Sequence, residues 1–576
     1  MATNRSELIR PVHPDGIKLR FNWNAAIALD PHDQTTVYFG SQFVHRTRDR
    51  GRTWEIISPD LTTNDTARQK AHISGGLTWD VTGAENYTTI LCISPDLKEK
   101  DVLWAGTDDG KIHLTRNGGD SWTELSGKLR GLPAGSWIAA IIPSPHQAGE
   151  ALVVANDYRR NNWDTYLYLT TDYGKSWKRL ADGKSVSSHA LSAVQDPIQP
   201  NLLFLGTEHG LWYSLNKGAK WEKWPETMPT VPVQDLKIHP REGDLILGTF
   251  GRAAFIIDDL NPLRALASGQ WTEKPIAIFP PQPAYLAYRG KSPDGTRFAA
   301  DAMFAGENRP GGANITFRVV PNEKDTTLKK ADHVIVHIKQ SGKVIRTLKW
   351  KFQKGLNREG WFLDEAGTPY PSRSARPKDA DEPGGADVLP GTYQLVVMYG
   401  PYKDSTSIEV RSDPRFPDDA QTAVRVQKLQ REFEELSGAA ATAANNLREA
   451  REATDRVSGL IADQESFKDL AKQTKTMADS IRKLENLLHG QEEVKGYYDE
   501  PHTIASKMGL LSYYIGTTYG EPSQATLVLY KQTREALEEQ LKTIDAFLQG
   551  AWMDYRRQAG GSQLPLFKEP TEVKLN

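Results

Sequence analysis

A tryptophan-terminated turn that recurs four times in the first half of the chain constrains the fold more than any other feature. "TRDRGRTW" ends at Trp54, "TRNGGDSW" at Trp122, "TDYGKSW" at Trp177, and a decayed copy, "SLNKGAKW", at Trp221. The shared pattern is [ST]-x-[DN]-x-G-x-[ST]-W, and the tryptophans stand 68, 55 and 44 residues apart. A radially repeated four-stranded sheet takes ~40–45 residues, so each interval holds one such unit with the excess in loops. Each turn also follows the same run-up, a Pro-containing turn, an apolar strand, Gly-Thr or Gly-Ser and a short strand, as in "DPIQPNLLFLGTEHGLWYSLNKGAKW".

The chemistry of the turn is that of a hairpin staple. Asp49, Asn117, Asp172 and Asn216 are expected to accept backbone N–H groups across it. Gly51, Gly119, Gly174 and Gly218 take positive φ, and Trp54, Trp122, Trp177 and Trp221 pack between neighbouring sheets. These twelve residues read as structural, because they recur once per unit on turns. A fifth unit, "VPVQDLKIHPREGDLILGTFGRAAFIIDDLNPLR", has the strands without the turn, as suits a terminal blade. The count is five blades, at 17–60, 85–130, 136–183, 185–226 and 230–262, with a Gly-rich polar insertion, Thr62–Glu85, after the first.

Taken in order, "RFNWNAAIALDPHDQTTVYFG", "TGAENYTTI", "WAGTDDGKIHLTRNGGDSW", "YLYLTTDYGKSW", "GTFGRAAFIIDDLNPLR", "GLNREGW" and "LPGTYQLVV" resemble the bacterial BNR/Asp-box, glycosyl hydrolase-like proteins related to the sortilin-type β-propeller. The likeness runs through nearly the whole chain and corresponds to the carboxy-terminal portion of such proteins. One motif departs: the family's Gly-Thr-His-Gly-Arg-Gly is here Gly248-Thr-Phe-Gly-Arg-Ala253, without the histidine. The resemblance implies a longer protein with an export signal, hence a periplasmic or secreted setting, and further blades upstream. A second chain, or self-association, is therefore expected to complete the propeller, since an open arc exposes strand edges.

The period then changes twice. Residues 263–312 form a Pro- and Gly-rich connector with short strands, and 313–412 alternate apolar and polar residues with hairpin turns such as Ser341-Gly342. That segment reads as an Ig-like, FlgD-like β-sandwich, similar to adaptor domains of secreted bacterial proteins. From 413 to 560 the spacing is helical: Leu429, Phe433 and Leu436, then Leu470, Met477, Ile481, Leu484 and Leu488, outline an antiparallel helical bundle. Met508, Tyr513, Tyr514, Phe547 and Trp552 are expected in its core, Ser523 is a natural N-cap, and 561–576 is a tail. The expected fold class is thus multidomain and mainly β: propeller blades, sandwich, helical bundle.

Composition removes several functions. A formal net charge of −2 over 576 residues gives no basic field for nucleic acid, and the chain carries no stretch of ~18 apolar residues for membrane insertion and no leader-like apolar run. The single cysteine, Cys92, lies in an apolar run and reads as a buried structural thiol, so neither a disulfide nor a cysteine metal site is expected. Thirteen histidines show no paired spacing, and phosphate-cradling or nucleophile-elbow motifs are missing. No cofactor or metal is expected.

The chemistry left to consider lies in loops. Glycoside hydrolysis needs two carboxylates at ~5 Å or ~6.5–9.5 Å, and the weak candidates are Asp80, Glu85, Asp108, Asp109 and Asp258. Asp108-Asp109-Gly110 sits where a hairpin turns, so a turn role is expected there. The loop "NDYRRNNWD" mixes planar donors with aromatic rings, which suits sugar or peptide recognition. Its residues Asp157, Tyr158, Arg159, Arg160, Asn161 and Trp163, with Arg252, are the ligand-binding candidates. Two functions follow: a non-enzymatic scaffold that binds a protein or glycan partner through propeller loops, or a sialidase- or xyloglucanase-like glycosidase acting through loop carboxylates.

Overall fold

The computed structural model describes residues 7–70, 86–225, 227–269, 274–287, 310–321, 332–416, 419–462, 464–491, 503–518 and 520–564. The chain divides into two compact units, Met1–Glu273 and Lys274–Asn576.

The first unit is a series of antiparallel sheets in which consecutive strands are neighbours. The first contains β1 (Ile27–Asp30), β2 (Asp33–Gly40), β3 (Val44–Thr47) and β4 (Glu55–Ile56). The second has β5 (Ile90–Pro95), β6 (Leu103–Thr107), β7 (Ile112–Thr115) and β8 (Thr123–Glu124). The third has β9 (Trp137–Pro143), β10 (Ala151–Asp157), β11 (Asn162–Thr170) and β12 (Lys178–Ala181). The fourth has β13 (Ala190–Gln195), β14 (Leu203–Thr207), β15 (Gly210–Ser214) and β16 (Glu222–Lys223). The fifth has three strands, β17 (Val233–Ile238), β18 (Leu245–Thr249) and β19 (Ala254–Ile257), followed by the helix α1 (Asn261–Ala267). These are the blades of a β-propeller.

Sheet faces meet in four successive cores. Tyr38 and Val44 pack with Ile90, Ile93 and Leu103; Trp104 and Leu114 with Ile138 and Ile141; Val154 and Leu167 with Ala193 and Leu205; Phe204 and Leu211 with Val233 and Leu236. In the second, third and fourth blades the second strand therefore serves two cores, alternate residues facing opposite neighbours, as the two-residue period of a strand requires. Burial of one such large side chain contributes roughly 1.5–3 kcal/mol, so the stack rather than the single sheet is the stable object. At the end of the series Arg264 of α1 pairs with the fully buried Asp196 at 2.9 Å, fixing the helix to the fourth blade.

The tryptophan-ending turns are held by side-chain oxygens. Oδ1 of Asp49, Asn117, Asp172 and Asn216 accepts the backbone N–H four residues on, at 2.8–3.0 Å. The hydroxyl of Thr47, Thr115, Thr170 or Ser214 accepts the glycine N–H at 2.8–3.0 Å. Two successive residues adopt positive φ in each turn, for example Gly118 at 67° and Gly119 at 109°. The glycines also lie against the preceding blade: a Cβ on Gly119 would stand 2.5 Å from the Ile57 carbonyl oxygen. The tryptophan indoles bridge the same gap, Trp122 Nε1 donating to Ile57 O at 2.9 Å and Trp221 Nε1 to Leu180 O at 3.0 Å.

The second unit holds a three-stranded sheet, β20 (Ile276–Ile278), β22 (Ala313–Val319) and β25 (Gly355–Trp361). Opposite it lies a five-stranded sheet in the order β21 (Ala284–Leu286), β29 (Tyr402–Ser412), β28 (Gly391–Tyr399), β23 (His333–Gln340) and β24 (Lys343–Lys351). They enclose one core that includes Ile278, Phe317, Trp361, Val336 and Tyr393. A ribbon of β26 (Asp364–Ala366) and β27 (Gly384–Asp387) leads on to a helical region. Its helices are α2 (Ala420–Ile461), α3 (Lys468–His489), α4 (Ile504–Gly516), α5 (Gln524–Gln549) and α6 (Ala551–Gly561). Ser523 caps α5 by accepting from Thr526 N–H, and Gly490 ends α3 at φ 89°.

One core assignment is corrected. Met508 is fully buried, but Tyr513 and Tyr514 of the same helix are 68% and 37% exposed. The buried residues of α4 are Ile504, Met508, Leu511 and Ile515, spaced by four, three and four, which places 513 and 514 away from that stripe. Among the described residues no helix is long and apolar enough to cross a membrane.

Gly119→Ala should lower the stability of the first unit by on the order of 2–4 kcal/mol, because it adds both a strained φ and a backbone clash. Gly127→Ala, with nothing within 4 Å of its new Cβ, should change it by less than about 0.5 kcal/mol. Urea titrations of the two variants measure the difference.

Candidate functional site

In an up-and-down blade, the turns between second and third strands lie at the same end as the entries to the first strands. The stapled turns between third and fourth strands lie at the other. The β6–β7, β10–β11, β14–β15 and β18–β19 turns therefore share one end of the first unit with the residues leading into β5, β9 and β13. Asp108, Asp109, the Asp157–Trp163 loop and Arg252 all belong to that end. Asp258 follows β19 and belongs to the stapled end, beside Asp259, whose N–H bonds Asp244 Oδ1 at 2.8 Å. Asp80 and Glu85 lie outside the described residues.

The 157–163 loop is exposed at Arg159–Asn161 and Trp163 and is held by its own side-chain hydrogen bonds. Asp157, 7% exposed, accepts from Arg160 Nε at 2.5 Å and from Asn162 Nδ2 at 3.1 Å. Arg160 also donates to the Ala134 carbonyl at 2.8 Å, tying the turn to the entry of β9. Asn161 takes φ 60° and accepts the Trp163 indole N–H at 3.0 Å, which orients a ring that is itself 56% exposed.

Those restraints assemble an aromatic shelf. The Arg159 guanidinium carbon lies 3.3 Å from the centre of the Trp137 ring and 4.4 Å from that of Tyr158. Tyr158 packs against His189 at 4.7 Å and against Trp163 at 6.2 Å, and Trp163 meets His189 at 5.5 Å. Desolvation by these rings lowers the Arg159 pKa from its ordinary value, yet a guanidinium remains charged. The shelf thus presents a fixed cation and an exposed indole side by side. His189, 2% exposed, has its pKa pushed down to about 4, first by burial and then by the nearby His209 and Arg159, so it is neutral near pH 7.

Sequence reading missed Trp137 and His189: Trp137 opens β9 of the loop's own blade, and His189 stands just before β13 of the following one.

The acids near the shelf are held by the chain. Asp108 is fully buried and accepts from Thr89 N–H at 2.8 Å, Thr89 Oγ1 at 2.7 Å and Asn22 Nδ2 at 3.3 Å. Burial nevertheless pushes its carboxyl up to about 7, outweighing the hydrogen bonds that favour the anion. Asp109 accepts from Thr63 N–H and Thr63 Oγ1, both at 2.7 Å, and from Thr107 Oγ1. Both aspartates thereby lock strand entries and turns together. The Cys92 thiol donates to Ile138 O at 3.8 Å, and burial pushes it up to about 12, as an inert structural thiol requires.

No family model matches the chain, and no curated protein matches it. Among solved structures, a GH74 enzyme of Niastella koreensis is 14% identical, with 42% of this chain and 47% of that one covered at a TM-score of 0.29. An ancestral GH74 enzyme is 12% identical over 60% and 40%, at 0.28, and YCF48 from Cyanidioschyzon merolae is 13% identical over 40% and 71%, at 0.25. The chain spans less than half the length of the two GH74 enzymes. At these TM-scores the likenesses say nothing of the site's chemistry. Among the described residues no group of three or more His, Cys, Asp or Glu could hold a metal ion.

The second unit has a cleft of about 620 Å³ between its sheets and helices, with Phe362, Phe416, Asp413, Asp419 and Glu521 in its wall. Its acids are engaged: Asp413 pairs with Arg415, Glu521 with Arg425, and Asp419 caps α2.

His45, 2% exposed and also pushed down to about 4 by burial, shares the behaviour of His189. The unfolded chain takes up protons near pH 6.5 while the folded one resists until about 4, so the stability that each histidine supports is complete above 6.5 and lost as pH falls through 4. The loss is roughly 2–3 kcal/mol each. Asp108, with its raised pKa, acts in the opposite sense, its contribution fading as pH rises from 3.8 through about 7. Urea melts at pH 7.5 and 4.5 should therefore show His189→Gln less sensitive to acid than the parent chain; equal sensitivity contradicts the assignment.

Proposed function

We propose that this chain is a non-enzymatic recognition scaffold that takes a protein or glycan partner on the shelf end of its propeller blades. The observation that carries this reading is the Arg159 guanidinium stacked on Trp137 and Tyr158 beside the exposed Trp163. A fixed cation next to an aromatic plane can stack on a sugar ring or an aromatic or proline side chain while donating planar hydrogen bonds. Asp157, Arg160 and Asn161 act one step behind, holding the loop that presents those groups. Arg252, in the exposed β18–β19 turn, extends the same end toward the fifth blade.

In this reading the second unit supplies assembly modules: an Ig-like sandwich and an antiparallel helical bundle. The Tyr393 hydroxyl, donating at 2.6 Å to the Leu389 carbonyl four residues upstream, supports the former, since such a tyrosine corner is common in that class. The family resemblance favours a BNR/Asp-box origin and a periplasmic or secreted setting.

Binding should be sought on a glycan array and a displayed random-peptide library. Trp163→Ala should weaken any captured ligand on the order of tenfold or more without shifting the melting curve, because the ring is exposed. Capture unaffected by Trp163→Ala and Tyr158→Ala overturns the shelf as the binding site.

One observation favours the glycosidase alternative: Asp108 with a pKa near 7 could serve as a general acid. Its three intramolecular hydrogen bonds speak for a structural role. Assay of a chromogenic glycoside panel decides: hydrolysis abolished by Asp108→Asn establishes the enzyme, and no hydrolysis by the parent chain leaves the scaffold.

A further inference from the structure

The shelf carries two charges of opposite sign, and neither meets its opposite within the chain. Arg159 is exposed, stacks its guanidinium on Trp137 and Tyr158, and forms no ion pair among the described residues. Arginines close by in the same blade differ: Arg160 pairs with Asp157 at 2.5 Å and Arg179 with Asp164 at 2.7 Å. The acid whose field reaches Arg159 is Asp108, which is buried and already accepts from Thr89 and Asn22. Stacking covers the face of a guanidinium and leaves its rim, where the N–H groups point, open to a ligand.

On the other side of the rings stands Glu208, in the two-residue β14–β15 turn of the following blade. Its side chain is 37% exposed, and its basic neighbour among the described residues is His189 Nε2 at 3.8 Å. Burial keeps that imidazole neutral near pH 7, so the contact is not an ion pair there. The order across the shelf is thus Arg159, the Tyr158 ring, the His189 ring and Glu208, with the exposed Trp163 against both Tyr158 and His189.

Opposite charges on either side of an exposed indole discriminate among ligands. A neutral sugar chain laid on Trp163 strips water from both groups and pairs neither, and that desolvation goes uncompensated. A carboxylated sugar pairs with Arg159 but meets Glu208 with its own sign. A polypeptide supplies both signs together with an apolar ring, and in an extended segment alternate side chains project to one face. We propose that the partner taken on the shelf is a protein, recognised through an extended segment in which an acidic side chain meets Arg159, a proline or aromatic ring lies on Trp163, and a basic side chain meets Glu208. This specificity depends on the shelf being the binding site, as proposed above, and narrows the partner from protein or glycan to protein. Arg159 offers the planar fork that a carboxylate matches, and the partly exposed Glu208 makes the affinity fall with added salt.

Peptides selected on the parent chain from a displayed random library, then synthesised, should carry an acidic and a basic residue around a proline or an aromatic residue. Replacing the basic residue by alanine should weaken binding to the parent on the order of tenfold and leave binding to Glu208→Gln unchanged; the acidic residue and Arg159→Gln should be coupled in the same way. Glu208→Lys should lose the selected peptides and gain the version whose basic residue is replaced by glutamate, a rescue that a misfolded variant cannot give. Capture that needs Trp163 but ignores either Glu208→Gln or Arg159→Gln, or Trp163-dependent capture from a glycan array alone, overturns this specificity and leaves the shelf as a binding site. Capture indifferent to Trp163→Ala, or no capture at all, removes both.

Discussion

Face-to-face packing between consecutive blades is the interaction on which the first unit depends. A four-stranded sheet of this size has too little apolar surface to stand alone, and in the second, third and fourth blades both faces are covered by neighbours. Trp104 and Phe204 illustrate the arrangement: each lies in one strand, is fully buried, and belongs to the core shared with the blade that follows. The stapled turns serve this packing. Gly119 admits the preceding blade's backbone, and the Trp122 and Trp221 indoles donate to that blade's carbonyls.

That dependence explains how much could be read from residues alone. The turn pattern encodes local chemistry, a side-chain oxygen, a positive φ and a ring at fixed spacing, and local chemistry is visible in a single sequence. Ser523 as a cap and Gly490 as a stop were legible for the same reason. Tyr513 and Tyr514 were misplaced because composition was weighed without phase: both are aromatic, but the buried stripe of α4 passes through Met508, Leu511 and Ile515. The buried pair of Arg264 with Asp196 joins residues 68 apart and left no trace in either local context.

The candidate site shows the boundary more sharply. The 157–163 loop could be singled out by its mixture of ring and donor, and its own hydrogen bonds are local enough to be anticipated. Trp137 and His189 were not, because Trp137 reaches the loop through the pairing of β9 with β10 and His189 from the entry of the following blade. Asp108 and Asp109 were expected in a turn role, and their partners Thr89 and Thr63 come from other segments.

The second unit contains a mechanical consequence. At about 1.5 Å per residue, the 42 residues of α2 make a rod of roughly 60 Å. Its first half is clamped to the β26–β27 ribbon by Gln430 to Asp387, Arg431 to Glu365 and Thr368 to Glu434. Its far end, at Ile461, packs instead with Leu470 of α3 and Tyr555 of α6. One unbroken hydrogen-bonded helix therefore ties the short-strand ribbon near its start to the α3 and α6 packing at its far end, so both ends of the helical region share a single backbone shaft.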